Sequence, residues 1–428
     1  MRKFWSLYLP SDKRGLTLVS REFVIRTLTL MSAFFAMFTS PDSVSALTED
    51  GPVYANYECR GSLGYSSDFN GRKTFLWRPQ WLEAIASDPE QRKARLAQAE
   101  EALHRGPYSV TDKGKNVPGA SSNDYASIGP YWWPNPDQAD GLPYIRRDGV
   151  VNPERNGPDF DKGRLSQLGA DLEALALGYF LTEDARYATR AAMLVDIWFL
   201  DPDTRMSPNM DFAQGVPGRV NGRGEGIIEA SDFSTVIESV GLILPSGALS
   251  SSQHANLQDW YAQFVSWLQT SENGKASRNK TNNHAIFYDF YLSHFALFAG
   301  NEELARNVSS DFLNKRLAQQ MDQDGRFTSE LNRTRSWHYS NYVLAGAGRL
   351  ATIAECVDHN LWAEQLDDGR GLEKGIGFLG RYSGRLEEWP YPDRDHAAKN
   401  YDRMKHTHQQ VEALFARDLG FVANTELP

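Results

Sequence analysis

Cysteine is nearly absent from this chain: two residues, Cys59 and Cys356, in 428. That scarcity excludes a small disulfide-dense fold and a cysteine-ligated metal cluster. The chain also lacks an HExxH pair, a G-x-S-x-G elbow and a P-loop lysine. A catalytic zinc, a serine-hydrolase nucleophile and a phosphate-cradling loop are therefore without support. Excess positive charge is missing too. With 45 Lys and Arg against 55 Asp and Glu the formal net charge is −10, which argues against nucleic acid or an anionic membrane as partner. Between residues 60 and 420 there is no Ser/Gly linker, low-complexity tract or charge block, so residues 47–428 read as one large domain. Alternating two-residue strand patterns are scarce.

The first apolar run that is present lies at the N-terminus. Arg21 and Arg26 precede Leu28 to Phe38, and Val44-Ser45-Ala46 supplies small residues before a cleavage point after Ala46. Residues 1–46 read as a secretory signal peptide, or alternatively as an uncleaved amphipathic anchor. The run is too short and interrupted for a stable membrane span. The expectation is an exported protein, periplasmic or secreted, free of the membrane after cleavage. In an oxidising compartment Cys59 and Cys356 either pair or remain two buried thiols.

What dominates the middle of the chain is helical periodicity. Leu165, Leu168, Leu172, Leu175 and Tyr179 recur at three- and four-residue steps, giving one apolar face. Thr182-Glu183-Asp184 makes a short polar turn before Tyr187, Ala191, Leu194 and Trp198 mark the next helix. Similar patterns fill 226–243, 254–269, 284–299, 302–320, 337–355 and 405–417. Short connections imply antiparallel neighbours, and many paired helices without a strict repeat suggest an all-α toroid or barrel. Two long irregular segments interrupt them, roughly 106–160 and 201–226, and loops of that length in a compact domain are usually functional.

Four groups of residues carry possible chemistry. Thr281 or Asn282 can cap a helix whose first turn holds Asn283 and His284, where the dipole and free N–H groups favour an anion such as a carboxylate. Arg333, Arg335, Tyr339 and Tyr342 follow about fifty residues later. Arg335 and Tyr342 share a face if the helix is continuous, and Arg333 and Tyr339 do so only if Arg333 precedes it. Either arginine could grip a carboxylate and either phenol could move a proton, since a neighbouring cation favours phenolate. Tyr131, Trp132 and Trp133 lie in a proline-stiffened loop where rings could stack on sugars. The 201–226 segment holds Gln214, Arg219 and Arg223 among five glycines. Each group has a plainer reading: a cap with a partly buried histidine, buried aromatics with solvated arginines, and a loop plugging a barrel end.

Together these segments resemble the alginate-lyase family of polysaccharide lyases, most closely its polymannuronate or glucuronan branch. The resemblance rests on Gly129-Pro130-Tyr131-Trp132-Trp133-Pro134, the 198–229 run through Gln214-Gly215-Val216-Pro217-Gly218-Arg219, Asn282-Asn283-His284, and Arg333-Thr334-Arg335-Ser336-Trp337-His338-Tyr339-Ser340. They occur in the family's order across residues 105–390. The resemblance implies an α/α toroid in which Asn283, His284 and an arginine neutralise a substrate carboxylate while a tyrosine carries the proton. It leaves two registers, Arg333 with Tyr339 (the preferred one) or Arg335 with Tyr342. Tyr131, Trp132, Trp133, Gln214 and Arg219 are the expected substrate-binding residues.

The expected reaction is β-elimination on a 1,4-linked uronate polymer by a monomeric enzyme that requires neither cofactor nor metal. An anionic polysaccharide is its partner, and the acidic net charge then demands a locally basic cleft. Mannuronan and glucuronan differ at C2 alone, so either fits. Two alternatives stand beside it: a glycoside hydrolase on the same scaffold using Asp289 and Glu330, and a non-catalytic exported polysaccharide-binding protein.

Overall fold

The computed structural model describes residues 58–418, with side chains through residue 414; the leader and its cleavage point lie outside them. Helices dominate. In chain order they are α1 (Pro79–Ser87), α2 (Pro89–Ala102), α3 (Lys162–Thr182), α4 (Ala185–Val195), α5 (Ser231–Ile243), α6 (Ser251–Thr270), α7 (Glu272–Arg278) and α8 (Asn283–Phe298). There follow α9 (Glu302–Phe312), α10 (Ala318–Gln320), α11 (Thr328–Leu331), α12 (Ser336–Ala354), α13 (Leu372–Gly380), α14 (Arg394–Ala397) and α15 (Tyr401–Asp418). The 302–320 periodicity resolves into α9 and α10 joined by one π-helical turn, Leu313–Leu317.

The helices form an α/α toroid. Its inner row is α3, α5, α8 and α12, each packed on the next, while α2 and α4 lie against α3, α6 and α9 against α8, and α15 against α12. Burial follows sequence. Every side chain of α8 from Ala285 to Phe298 is buried, as expected of a helix that is apolar all round. Its one carboxylate and its imidazole are matched inside the core. Asp289 takes Arg316 through two bonds of 2.7 Å, and His294 meets Glu238 at 2.8 Å. The outer α2 buries only Ala99 and Ala102, so it has no apolar stripe to betray it.

Turn chemistry sets the helix ends. Glu183 takes a left-handed φ of 58° at the end of α3 and Asp184 then caps α4. A Cys59–Cys356 disulfide ties the start of the described chain to the turn after α12, which settles the cysteine alternative in favour of pairing. Among the described residues no helix is long and apolar enough to cross a membrane.

The two long irregular segments find each other. Strand β1 (Ala126–Ile128) pairs in parallel with β4 (Phe212–Gly215), and β2 (Trp132–Trp133) with β3 (Ile145–Arg146) forms a small antiparallel hairpin. Glycine permits the close approach: a Cβ on Gly222 would sit 1.9 Å from the Asp211 carbonyl, and one on Gly226 2.4 Å from the Ala213 side chain. The glycines in this run thus serve backbone packing. Joined in this way, the loops roof the barrel end at which α8 and α12 begin.

Candidate active site

A cavity of about 590 Å3 lies between that roof and the helix starts. Asn282 caps α8, its side-chain oxygen accepting the His284 N–H at 3.2 Å. Asn283 and His284 both line the cavity. The free anion slot expected at this helix start is already filled. Glu330, buried on α11, accepts the Asn283 backbone N–H at 2.7 Å and the amide nitrogen at 2.9 and 3.0 Å from its two oxygens. The helix-dipole argument therefore found the right place and missed its occupant. Burial raises the Glu330 carboxyl, against the lowering effect of the Asn283 donors.

His284 is enclosed, and burial brings its imidazole down to about 4 despite the nearby Glu225 charge. The ring is neutral at neutral pH and its Nδ1 is buried without a partner. His338 is held near 4 in the same way, first by burial and then by Arg335. It stacks on Tyr342 with ring centroids 5.8 Å apart.

The arginine–tyrosine registers separate cleanly in space. Helix α12 starts at Ser336, so Arg333 precedes it, the condition under which it can meet Tyr339. Its guanidinium carbon lies 3.7 Å from the centre of the Tyr339 ring, and its Nη2 reaches Asp148 at 3.2 Å. The Arg333 Nε is buried without a partner. Arg335 stands at the helix cap instead of inside the helix and is paired with Asp395 at 2.9 Å. Tyr342 lines the cavity but stacks on Phe287 at 4.4 Å. The Tyr339 hydroxyl meets that of Tyr131 from the roof. One expectation fails here. The adjacent Arg333 does not make Tyr339 a ready phenolate, because burial and then Tyr131 push the phenol upward by more than Arg333 lowers it.

The roof residues divide. Trp132 lines the cavity between two guanidiniums, Arg219 at 5.6 Å and Arg223 at 6.0 Å from its ring. Gln214 also lines it, in a left-handed conformation (φ 48°), its side-chain oxygen accepting from Arg223 at 2.9 Å. Arg219 touches the cavity only through Trp132. Trp133, expected to bind substrate, lies outside the lining. Its indole N–H donates to the Val150 carbonyl at 2.9 Å and Arg147 covers its ring at 5.2 Å. Trp133 thus braces the hairpin.

Five further lining residues had been given no role from the sequence: Arg146, Arg155, Arg223, Lys280 and His338. Arg223 had been noted in the 201–226 segment and His338 within the Arg333–Ser340 motif, while Arg146, Arg155 and Lys280 carried no local signal. Their sum makes the cavity basic on an acidic protein. Arg155 is held by Glu229 at 2.6 Å. Glu225 lies 2.9 Å from Lys280; burial opposes its charge, but Lys280 and Arg223 overcome that and bring it to about 2.

The paired-carboxylate alternative fails on geometry. Asp289 is locked to Arg316 in the core and Glu330 to Asn283, and neither lines the cavity. Among the described residues no cluster of three or more His, Cys, Asp or Glu side chains could hold a metal ion.

Comparison with known proteins agrees with this arrangement. The sequence pattern of the family described as Alginate lyase matches residues 109–389. The chain belongs to the alginate lyase family. A crystal structure of an alginate lyase from Bacteroides ovatus shares 31% identity with a TM-score of 0.77, over 82% of this chain and 93% of that one. Alginate lyase A1-III from Sphingomonas species A1 is more distant, at 18% identity and a TM-score of 0.43 over 82% and 94% of the two chains. No curated protein matches the chain. This alginate-lyase family member is accordingly a polysaccharide lyase, which removes the non-catalytic binding protein as an alternative.

Proposed function

We propose that this enzyme cleaves a 1,4-linked uronate polymer, the polymannuronate of alginate or the related glucuronan, by β-elimination that leaves a 4,5-unsaturated uronate end. The observation that carries the proposal is the meeting of Asn283, His284, Arg333 and Tyr339 around one basic cavity, with the Arg333 guanidinium 3.7 Å from the Tyr339 ring.

The C5 proton of a uronate becomes removable when charge on its carboxylate is offset. Arg333 offers an unspent Nε and His284 a neutral ring with a free nitrogen. An amide nitrogen carries two hydrogens, so Glu330 can orient Asn283 while one hydrogen is left for the substrate. These groups stabilise the developing enolate-like anion. Tyr339 takes the C5 proton as general base and returns it to the O4 leaving group as general acid. One residue suffices because in mannuronate and glucuronate the C5 proton and O4 lie on the same side. As the resting phenol is neutral, Tyr339 must first lose its own proton to solvent, and the Arg333 cation in contact with its ring favours that ionisation.

Trp132 supplies a ring for a sugar face, and Arg146, Arg223 and Lys280 supply charge for neighbouring carboxylates. We further propose that the protein acts as an exported monomer. The Cys59–Cys356 disulfide supports export, as does the apolar leader pattern. Ultraviolet absorbance during incubation with polymannuronate, polyguluronate and glucuronan tests the proposal. A rise on the first or third, abolished by Tyr339→Phe, is expected. Absence of any rise on all three, with purified folded protein, would overturn it.

A further inference from the structure

Beneath the cleft the barrel holds a second chamber. Its volume is about 240 Å3, and Tyr342 lines both it and the catalytic cavity. Seven residues further along α12, on the same helix face and about 10 Å deeper at 1.5 Å per residue, Arg349 also lines this chamber. Other interior arginines have carboxylates: Arg316 has Asp289, Arg155 has Glu229 and Arg335 has Asp395. Among the described residues Arg349 has no ion-pair or hydrogen-bond partner, and the acidic groups that act on it are the phenols of Tyr342 and Tyr291.

A guanidinium cannot be neutralised by losing its proton at ordinary pH, and an unpaired interior charge is expensive. The carboxylate in the same chamber does not relieve it, because Asp232 is bound by Lys162 at 2.6 Å. Ser234 adds a buried hydroxyl without a partner. Trp77, Phe287 and Phe290 form apolar walls that exclude water from one side and strengthen whatever charge pairing occurs within.

We propose that this chamber is a second anion site, in which Arg349 binds a small monoanion of carboxylate size, distinct from the cleft where elimination takes place. The planar fork of the guanidinium suits a carboxylate best, whether a free organic acid or a monomeric sugar acid. With one cation, apolar walls and Asp232 in the lining, the chamber suits a monoanion, so hydrogen phosphate, the dianion that prevails at pH 8, is excluded while acetate, bromide or glucuronate is admitted. The site does not depend on the elimination chemistry being right.

Thermal unfolding of the intact enzyme tests it at pH 8 and constant ionic strength, with acetate, bromide, glucuronate or phosphate each replacing a bulky sulfonate anion. Acetate or bromide should raise Tm saturably in the wild type and leave Arg349→Met unmoved, with phosphate inert. A rise with glucuronate but not acetate would assign the site to a sugar acid. Crystals grown in bromide provide a second measurement that needs no variant: an anomalous peak beside Arg349 is expected. Equal responses in wild type and Arg349→Met, or no bromide peak with no saturable shift, would overturn the proposal. So would a halide seen at crystal concentration alone.

Discussion

The floor and the roof of the cavity are built on different principles. The floor consists of helix starts whose side chains are fixed by buried partners: Asn283 by Glu330, His338 against Tyr342. The roof consists of loops that reach the floor through exposed-edge polar contacts. Asp148 accepts from Thr334 at 2.8 Å and from Arg333 at 3.2 Å, Arg394 donates to the Gly149 carbonyl at 3.0 Å, and the Tyr131 and Tyr339 hydroxyls meet. The difference teaches a division of labour. Rigid helices hold the groups that must be placed for chemistry, while the loops bring aromatic and basic surface that can adapt to a polymer.

The largest effect should come from the floor. Tyr339→Phe is expected to lower kcat about a thousand-fold, whereas Tyr342→Phe, which keeps the stacking ring, should lower it by less than roughly ten-fold. Steady-state rates of the two variants decide the register, and a reversed order would assign Arg335 and Tyr342 instead.

Acid should attack the floor next. His284 and His338 lie near 4 in the folded chain against 6.5 ordinarily. Above about pH 6.5 both states keep neutral rings. Between the two values only the unfolded chain protonates, so stability falls as pH is lowered through that window and the loss is complete below about 4. On the order of 3 kcal/mol per histidine is at stake. Denaturant unfolding from pH 7 to pH 4 should show a steep fall that is shallower in His338→Gln. A pH-independent midpoint would refute the assignment.

Glu330→Gln removes the charged acceptor of Asn283 while keeping its shape. A loss of about 2 kcal/mol, roughly thirty-fold in kcat, is expected, with KM changed less. An unchanged kcat would show that Asn283 needs no anchor.

Roof changes should be smaller. Asp148→Asn weakens a largely buried pair with Arg333 at the roof edge and should raise KM about five-fold, near 1 kcal/mol. Arg219→Ala removes one of two cations over Trp132 and should change KM by no more than about two- to three-fold. If either exceeded the Glu330 variant, the contrast between a fixed floor and an adaptable roof would be wrong.

Much of this was legible in the sequence where a local pattern had a physical cause. The leucine steps of 165–179, the apolar run of 285–298 and the Asn282 cap gave helices because each satisfies a rule within one or two turns. Helix α2 escaped because almost nothing on it is buried, and α13 because it is short and rich in glycine. Asn283, His284, Arg333 and Tyr339, which the structure brings to one cavity, were picked out by motif. Arg146, Arg155 and Lys280 were not, since segments distant in sequence deliver them and no spacing connects them.

The sequence by itself therefore determined the all-α architecture, the helix starts that carry the site and the family to which the chain belongs. These depend on backbone hydrogen bonding and periodic burial, which are local. Only the tertiary structure decided that Glu330 fills the expected anion slot, that Arg333 and not Arg335 covers a tyrosine ring, that Trp133 is a brace, and that Cys59 meets Cys356. It also left Arg349 alone in an interior chamber. Each of these is a question of which distant group arrives first at a buried charge or ring, and burial in three dimensions answers it.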